Sequence, residues 1–486
     1  RAAREALRLG NDEPAEDLAR AADARPGCRP LATLAGVALL ARGDRAAARA
    51  RLAAGEPADA ALAALVAETD ALVEWLVASE VTLPLDIPAA PQGLGAALEQ
   101  VARSPHASRI ALVLSPLCAL ALDRVEVLHG VVDSPYGRSG WRTLGPLARE
   151  RRLPAVLRGG LTLLAEVNDP RLRVGIGQEV GADQPLLAAT LLATGASGES
   201  DERIRSLAQA LELARAASEA DAQPRWRARL IVAAAVDLAR LQRKALSEVV
   251  LEADDARLRG ATDLLVEAFL AGQDLPPDDG ARARAAEALL EHVGSGHAPL
   301  APVVDRLAAL PGATPERTLV LASVRFASGG DDDPERLLAD ALARASAAES
   351  QVRAAAATAF TLRQFNAAVT RGAVATADLS RAMRLALTAL DLATTPEARA
   401  PLAMTLGQAA DLGLQGAPRL DLDEVALPPA TTAEQAYARA VVLAAQGRVA
   451  QADEALAAAR RTGRRPGNLD LLVERVVARA RGLTER

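Results

Sequence analysis

Within the 486-residue chain, residues 31–54, LATLAGVALLARGDRAAARARLAA, constrain the fold more tightly than any other stretch. Apolar residues recur at helical spacing on both sides of Gly43-Asp44, which is the pattern of two helices joined by a glycine turn. The residues that would face each other across the hairpin are small, Gly36 on the first helix and Ala48 on the second, with Leu39 and Leu52 supplying bulk. Small residues let two backbones approach closely while larger neighbours fill the space above and below. The same grammar returns in AEQAYARAVVLAAQGRVAQADEALAAARR, where Ala440 and Leu443 precede a turn at Gly447 and Ala452, Leu456 and Ala459 follow it. Gly10 marks a third candidate turn, followed by Ala15, Ala19 and Ala22.

Composition fits this packing mode. Alanine fills about a quarter of the positions and aromatic residues only 2%, so one large aromatic core is out of reach and many small helix interfaces must replace it. With 24% charged and 50% hydrophobic residues the chain is neither disordered nor collagen-like, and two cysteines exclude a disulfide scaffold. The many arginines, alanines, glycines and prolines match a GC-rich coding sequence. Lys244 is the only lysine, and its helix-like context, LQRKAL, fits neither a phosphate-binding loop nor a protein kinase. Acids alternate with arginines under a net charge of −6, so no nucleic-acid partner is expected. The densest basic spots, at Arg149, Arg151 and Arg152, around Trp226, and at Arg460, Arg461, Arg464 and Arg465, read as solvated helix faces or helix C-termini. The uncharged run 110–122 is too short to span a bilayer, so no membrane span is expected. Cys28 and Cys118 fit no metal or redox spacing, which points to a reduced, cytoplasmic setting. A chain that starts at Arg1 inside an apparent helix reads as part of a longer protein.

Gly10 and Gly43 stand about one 34-residue unit apart, and here the chain resembles the tetratricopeptide repeat family, whose unit is a helix-turn-helix. The resemblance covers residues 2–60 and 431–465, roughly a fifth of the chain, and rests on the small residues and turn glycines. It departs from the family where Ala32 stands in a commonly aromatic position and Leu39 and Leu443 replace tyrosines. The resemblance implies an all-α fold, a right-handed α-α superhelix or solenoid of stacked helix-turn-helix pairs. It also implies a groove that holds a protein or peptide partner. A form of the family that clamps acidic C-termini with lysines and asparagines is not matched: there is one lysine, and Asn11, Asn168, Asn366 and Asn468 are scattered. Arginines could take over that role only if particular ones line one groove.

Helix starts elsewhere carry a repeated device, Thr or Asp as N-cap with Pro following, at Thr314-Pro315, Asp333-Pro334 and Thr395-Pro396, while Thr431 to Glu434 reads as a capping box. These starts predict helix pairs at 201–218 with 225–243, 255–270 with 280–292, 300–310 with 315–327, 334–347 with 351–370, and 377–392 with 396–411. Residues 81–199 differ, because ten prolines between Pro84 and Pro185, interleaved with glycines, force helices there to be short or kinked. The expected organisation is helical pairs over 1–80, an irregular helical region over 81–199 and a helical-repeat array over 200–486.

No stretch matches a catalytic template. Gly175, Gly177 and Gly181 come nearest to a dinucleotide loop, but the spacing is one residue too long and no second strand is in view, so a loop between helices is expected. Gly137-Arg138-Ser139-Gly140 lacks the spacing of a nucleophile elbow. Asp123, Glu126 and His129 share a helix face but read as a solvated edge, and Asp331 to Asp333 as an N-cap rather than a calcium loop, so neither metal nor cofactor is expected. Trp75, Trp226, Phe360 and Phe365 read as core anchors, and Glu291-His292 as the edge of a loop. Tyr136, Arg138 and Trp141 form the candidate partner-facing loop. The functional expectation is a noncatalytic scaffold or adaptor. The alternatives are a sensor or regulatory helical arm of a larger signalling protein or transcriptional regulator, and an enzyme using 81–199.

Overall fold

The computed structural model describes residues 15–78, 93–104, 109–123, 144–151, 153–165, 169–198, 200–217, 224–246, 256–295, 300–308, 314–329, 333–345, 350–370, 376–422, 424–428, 431–462 and 468–484. Among these residues the chain is all-α, with 23 α-helices, one short 3-10 turn and no strand. Two compact units divide it, residues Arg1–Leu230 and Ile231–Arg486, and the division falls inside one helix, Pro224–Leu246.

The first unit contains α1 (Ala15–Asp23), α2 (Arg29–Arg42), α3 (Arg45–Ala53), α4 (Pro57–Ala78), α5 (Leu94–Ala102), α6 (Ile110–Asp123), α7 (Gly145–Ala148), α8 (Ala155–Ala165), α9 (Pro170–Val180), α10 (Pro185–Gly195) and α11 (Ser200–Ala216). Helices pack mainly on those adjacent in sequence. One core runs from Val37 to Ala165, with Leu52, Leu62, Leu65, Leu98 and Leu114 fully buried and Trp75 packed against it. Trp226 is buried as well, its indole Nε1 donating to Thr190 Oγ1 at 3.1 Å.

α2 ends on Gly43, which adopts φ +89°; its N–H donates to Leu40 O at 3.0 Å and the next amide, Asp44 N–H, to Leu39 O at 2.9 Å. That closure occupies carbonyls that the helix end would leave unpaired, and it needs a residue free of a Cβ penalty. Asp44 then caps α3 by accepting from Ala47 N–H.

The expected loop around Gly175 and Gly177 is instead helix α9. Asp169 caps it by accepting from Leu172 N–H, and Pro170 supplies a preset first turn, so the start signals outweigh the low helix propensity of glycine. Gly177 faces α10: a Cβ there would lie 3.0 Å from Leu192 Cγ and 3.2 Å from the Ala188 carbonyl oxygen.

After α12 (Pro224–Leu246) the second unit contains α13 (Ala256–Gln273), α14 (Gly280–Gly294), α15 (Ala301–Ala308), α16 (Pro315–Ala327), α17 (Pro334–Arg344), α18 (Ser350–Thr370), α19 (Thr376–Leu392), α20 (Pro396–Gly416), α21 (Ala433–Ala445), α22 (Val449–Arg461) and α23 (Leu469–Thr484). Thr314, Asp333 and Thr395 accept from the amides of Arg317, Arg336 and Ala398, as their cap signals require. Pairing departs from simple succession. α18 packs chiefly on the following α19 and on the distant α14, rather than on α17. The reason lies in the faces: α17 buries only Pro334, Leu338, Ala341 and Leu342, too little to cover α18, which buries residues on several sides. α14 approaches α18 so closely that a Cβ on Gly294 would sit 2.8 Å from Ala359 Cα.

Leucines seated on glycines recur at these interfaces. A Cβ would come within 2.7 Å of Leu52 at Gly36, of Leu472 at Gly407 and of Leu420 at Gly413. A buried ion pair joins α14 to α16: Arg282 forks onto Glu316 at 3.2 and 3.0 Å and donates to Leu275 O. His292, expected at a loop edge, lies inside α14, fully buried, with Nε2 2.8 Å from Thr262 Oγ1. Phe360 stacks on Phe326 with ring centroids 4.6 Å apart, whereas Phe365 is only half-buried.

Candidate functional site

The residues singled out by the hairpin grammar are packing residues. Gly36, Ala48 and Leu52 meet in the α2–α3 interface, where Ala48 and Leu52 are fully buried and Gly43 makes the turn. In the second unit Ala440, Ala452, Leu456 and Ala459 are buried between α21 and α22, and Gly447 turns with φ +78°. Its N–H donates to Ala444 O and Arg448 N–H to Leu443 O, the same closure as at Gly43. The two clusters are separate interfaces. Gly10, Tyr136, Arg138 and Trp141 lie outside the described residues, as do Glu126 and His129. Among the described residues no three His, Cys, Asp or Glu side chains stand where they could hold a metal ion, and no helix is long and apolar enough to cross a membrane.

A concavity in the second unit lies where the chain leaves α20. Residues 417–422 and 424–428 form a non-helical strap across α19 and α21. Leu420 N–H donates to Ala445 O at 2.8 Å, and the strap's own carbonyls are gripped by side chains: Gln446 Nε2 donates to Leu422 O at 2.6 Å and Arg384 Nη1 to Asp421 O at 2.8 Å. Leu420 and Leu422 are both 1% exposed, while Arg419 and Asp421 face outward. Two leucine anchors and three hydrogen bonds to backbone thus hold a stretch with no secondary structure of its own.

Beyond these anchors the strap residues Val425 to Pro428 form one wall of a cleft of about 420 Å³, with α17, α19 and the first turn of α21 as the others. Leu387, Leu390, Val425, Leu427 and Pro428 give it an apolar lining. Its one cation, Arg384, is engaged by Glu335 Oε2 at 2.8 Å and by the strap carbonyl. Asp391 lines the cleft as an exposed carboxylate with no ion pair or hydrogen bond among the described residues. It sits in the last turn of α19, where the helix dipole opposes a negative charge.

Gln435 supplies a further polar group. The capping box read at Thr431–Glu434 is displaced by one residue: Thr432 is the N-cap and accepts from Gln435 N–H at 3.3 Å, because this register lets both threonine hydroxyls reach the Gln435 side chain. Gln435 Oε1 accepts from Thr431 Oγ1 at 2.6 Å and Thr432 Oγ1 at 3.2 Å. The carbonyl end of the amide is therefore spent, and Nε2 has no acceptor among the described residues, although the residue is only 6% exposed and lines the cleft. As a donor on the cleft wall it is open to an acceptor that enters the cleft. The sequence held one signal for it, a glutamine three residues after a threonine, masked by the equally good glutamate one residue earlier.

Comparison of the chain with known protein families, curated proteins and solved structures gives no match.

Proposed function

We propose that the chain is a noncatalytic scaffold of tetratricopeptide-like helix pairs, and that it binds a segment of a partner protein in the cleft between α17, α19, α21 and the strap. The strap supports this reading. Side chains from α19 and a residue beyond α21 already grip a non-helical stretch by its carbonyls, with leucines as anchors, which is how a helical surface holds a peptide. The adjoining cleft repeats the ingredients, an apolar lining and a glutamine amide without an acceptor, at a volume within the range of ligand pockets.

The test is site-directed photo-crosslinking in the native cell, with the photoreactive residue at exposed Thr388 in the cleft and, as control, at exposed Glu454 on α22. Adducts specific to Thr388 should map to one short contiguous stretch of a partner, and a synthetic peptide of that stretch should compete. Adducts no stronger than at Glu454, or spread over a folded surface of the partner, would refute the proposal.

A further inference from the structure

We infer that the cleft selects a peptide segment in which an aliphatic side chain stands beside an arginine or lysine, with a backbone carbonyl of that segment accepting from Gln435 Nε2. The inference rests on the reading of the cleft as a peptide site and specifies its occupant.

Three groups carry it, each with a different requirement. The apolar lining, Leu387, Leu390 and Leu427 among it, gains only from a hydrocarbon side chain that displaces water. Gln435 offers a donor: with its oxygen turned toward the Thr431 and Thr432 hydroxyls, Nε2 is the end of the amide left for an acceptor in the cleft. Asp391 presents an exposed carboxylate to which a cation can pair. Arg384 is divided between Glu335 and the Asp421 carbonyl, and the strap beside the cleft adds two exposed carboxylates, Asp421 and Glu424, against one exposed arginine, Arg419. An acidic segment would meet this field as repulsion; a basic one is drawn in and oriented by it. The negative field also decides what meets Gln435: a neutral peptide carbonyl fits where a carboxylate would not.

The experiment is selection of a phage-displayed random heptapeptide library on the full chain, followed by fluorescence anisotropy of the most enriched peptide. The variants are Asp391→Arg, at an exposed position, and Gln435→Met, which keeps the volume and removes the donor; far-UV circular dichroism checks both folds. Enriched peptides should pair Leu, Ile or Val with Arg or Lys. Binding should weaken about ten-fold in Asp391→Arg and about three- to ten-fold in Gln435→Met. A sister peptide with Glu in place of the basic residue should prefer Asp391→Arg over the unaltered chain.

Enrichment of peptides without a basic residue, bound equally well by Asp391→Arg, would overturn this inference and leave peptide binding in the cleft standing. A third variant, Leu387→Trp, fills the cleft and separates the remaining case. Peptides that bind Leu387→Trp as well as the unaltered chain, or no enrichment at all, would overturn the cleft reading together with the inference.

Discussion

Gly175 and Gly177 offer a test in which two identical substitutions, two residues apart on one helix, should differ in effect. Replacing either by alanine removes the same backbone entropy from the unfolded chain and adds the same helix propensity, about 0.5–1 kcal/mol in favour of folding. At Gly175 nothing lies within 4 Å of the new Cβ, so the whole benefit remains. At Gly177 the Cβ would stand 3.0 Å from Leu192 Cγ, 3.2 Å from Leu191 Cβ and 3.2 Å from the Ala188 carbonyl oxygen. Leu192 can swing, but the carbonyl belongs to the backbone of α10 and moves only with the helix. Such overpacking costs about 1–3 kcal/mol, which leaves Gly177→Ala less stable than Gly175→Ala by about that amount. Urea unfolding followed by circular dichroism, with the transition of the first unit compared at constant slope, reads both variants on one scale. Gly177→Ala as stable as Gly175→Ala would refute the close approach of α9 and α10, and with it the account of why these glycines form helix rather than loop.

Other perturbations probe separate parts of the molecule. Ala48→Leu should cost about 1–3 kcal/mol in the same assay, because Ala48 is fully buried and its carbonyl lies against Gly36. Glu316→Ala should cost about 3–5 kcal/mol by leaving the Arg282 guanidinium buried and unpaired, and the double variant Arg282→Met with Glu316→Leu should recover most of that loss in chemical denaturation. Burial pushes the Cys118 thiol up to about 12, so the neutral thiol persists from pH 7 to pH 9; an aromatic disulfide reagent at pH 8 should titrate exposed Cys28 alone in the folded protein and both cysteines in denaturant.

The all-α class was legible because alanine-rich periodicity and proline-marked caps are local signals, and the ten helices expected after residue 200 are all present, with ends moved by a few residues. Which helices meet was less legible. The contact of α14 with α18 depends on Gly294 and Ala359, whose juxtaposition no local pattern encodes. His292 illustrates the same limit: glycines just beyond it suggested a loop, while its burial against Thr262 is set by a neighbouring helix. The cleft escaped altogether. Asp391 is one carboxylate among many, and its significance comes from having no cation partner among the described residues, which only a three-dimensional arrangement decides. Gln435 was hidden by a one-residue shift in the capping box.

The leucines seated on glycines fix more than distance. One turn of axial travel is about 5.4 Å along a helix, and beside Gly36, whose neighbours on the same face are Ala32, Thr33, Leu39 and Leu40, such a step would place a Cβ beneath Leu52. Each seat therefore works as a detent, leaving rotation and separation of a helix pair to the surrounding side chains but blocking slippage outright. A chain poor in aromatic bulk can in this way hold its helices in register by geometry at a few points rather than by filling volume everywhere.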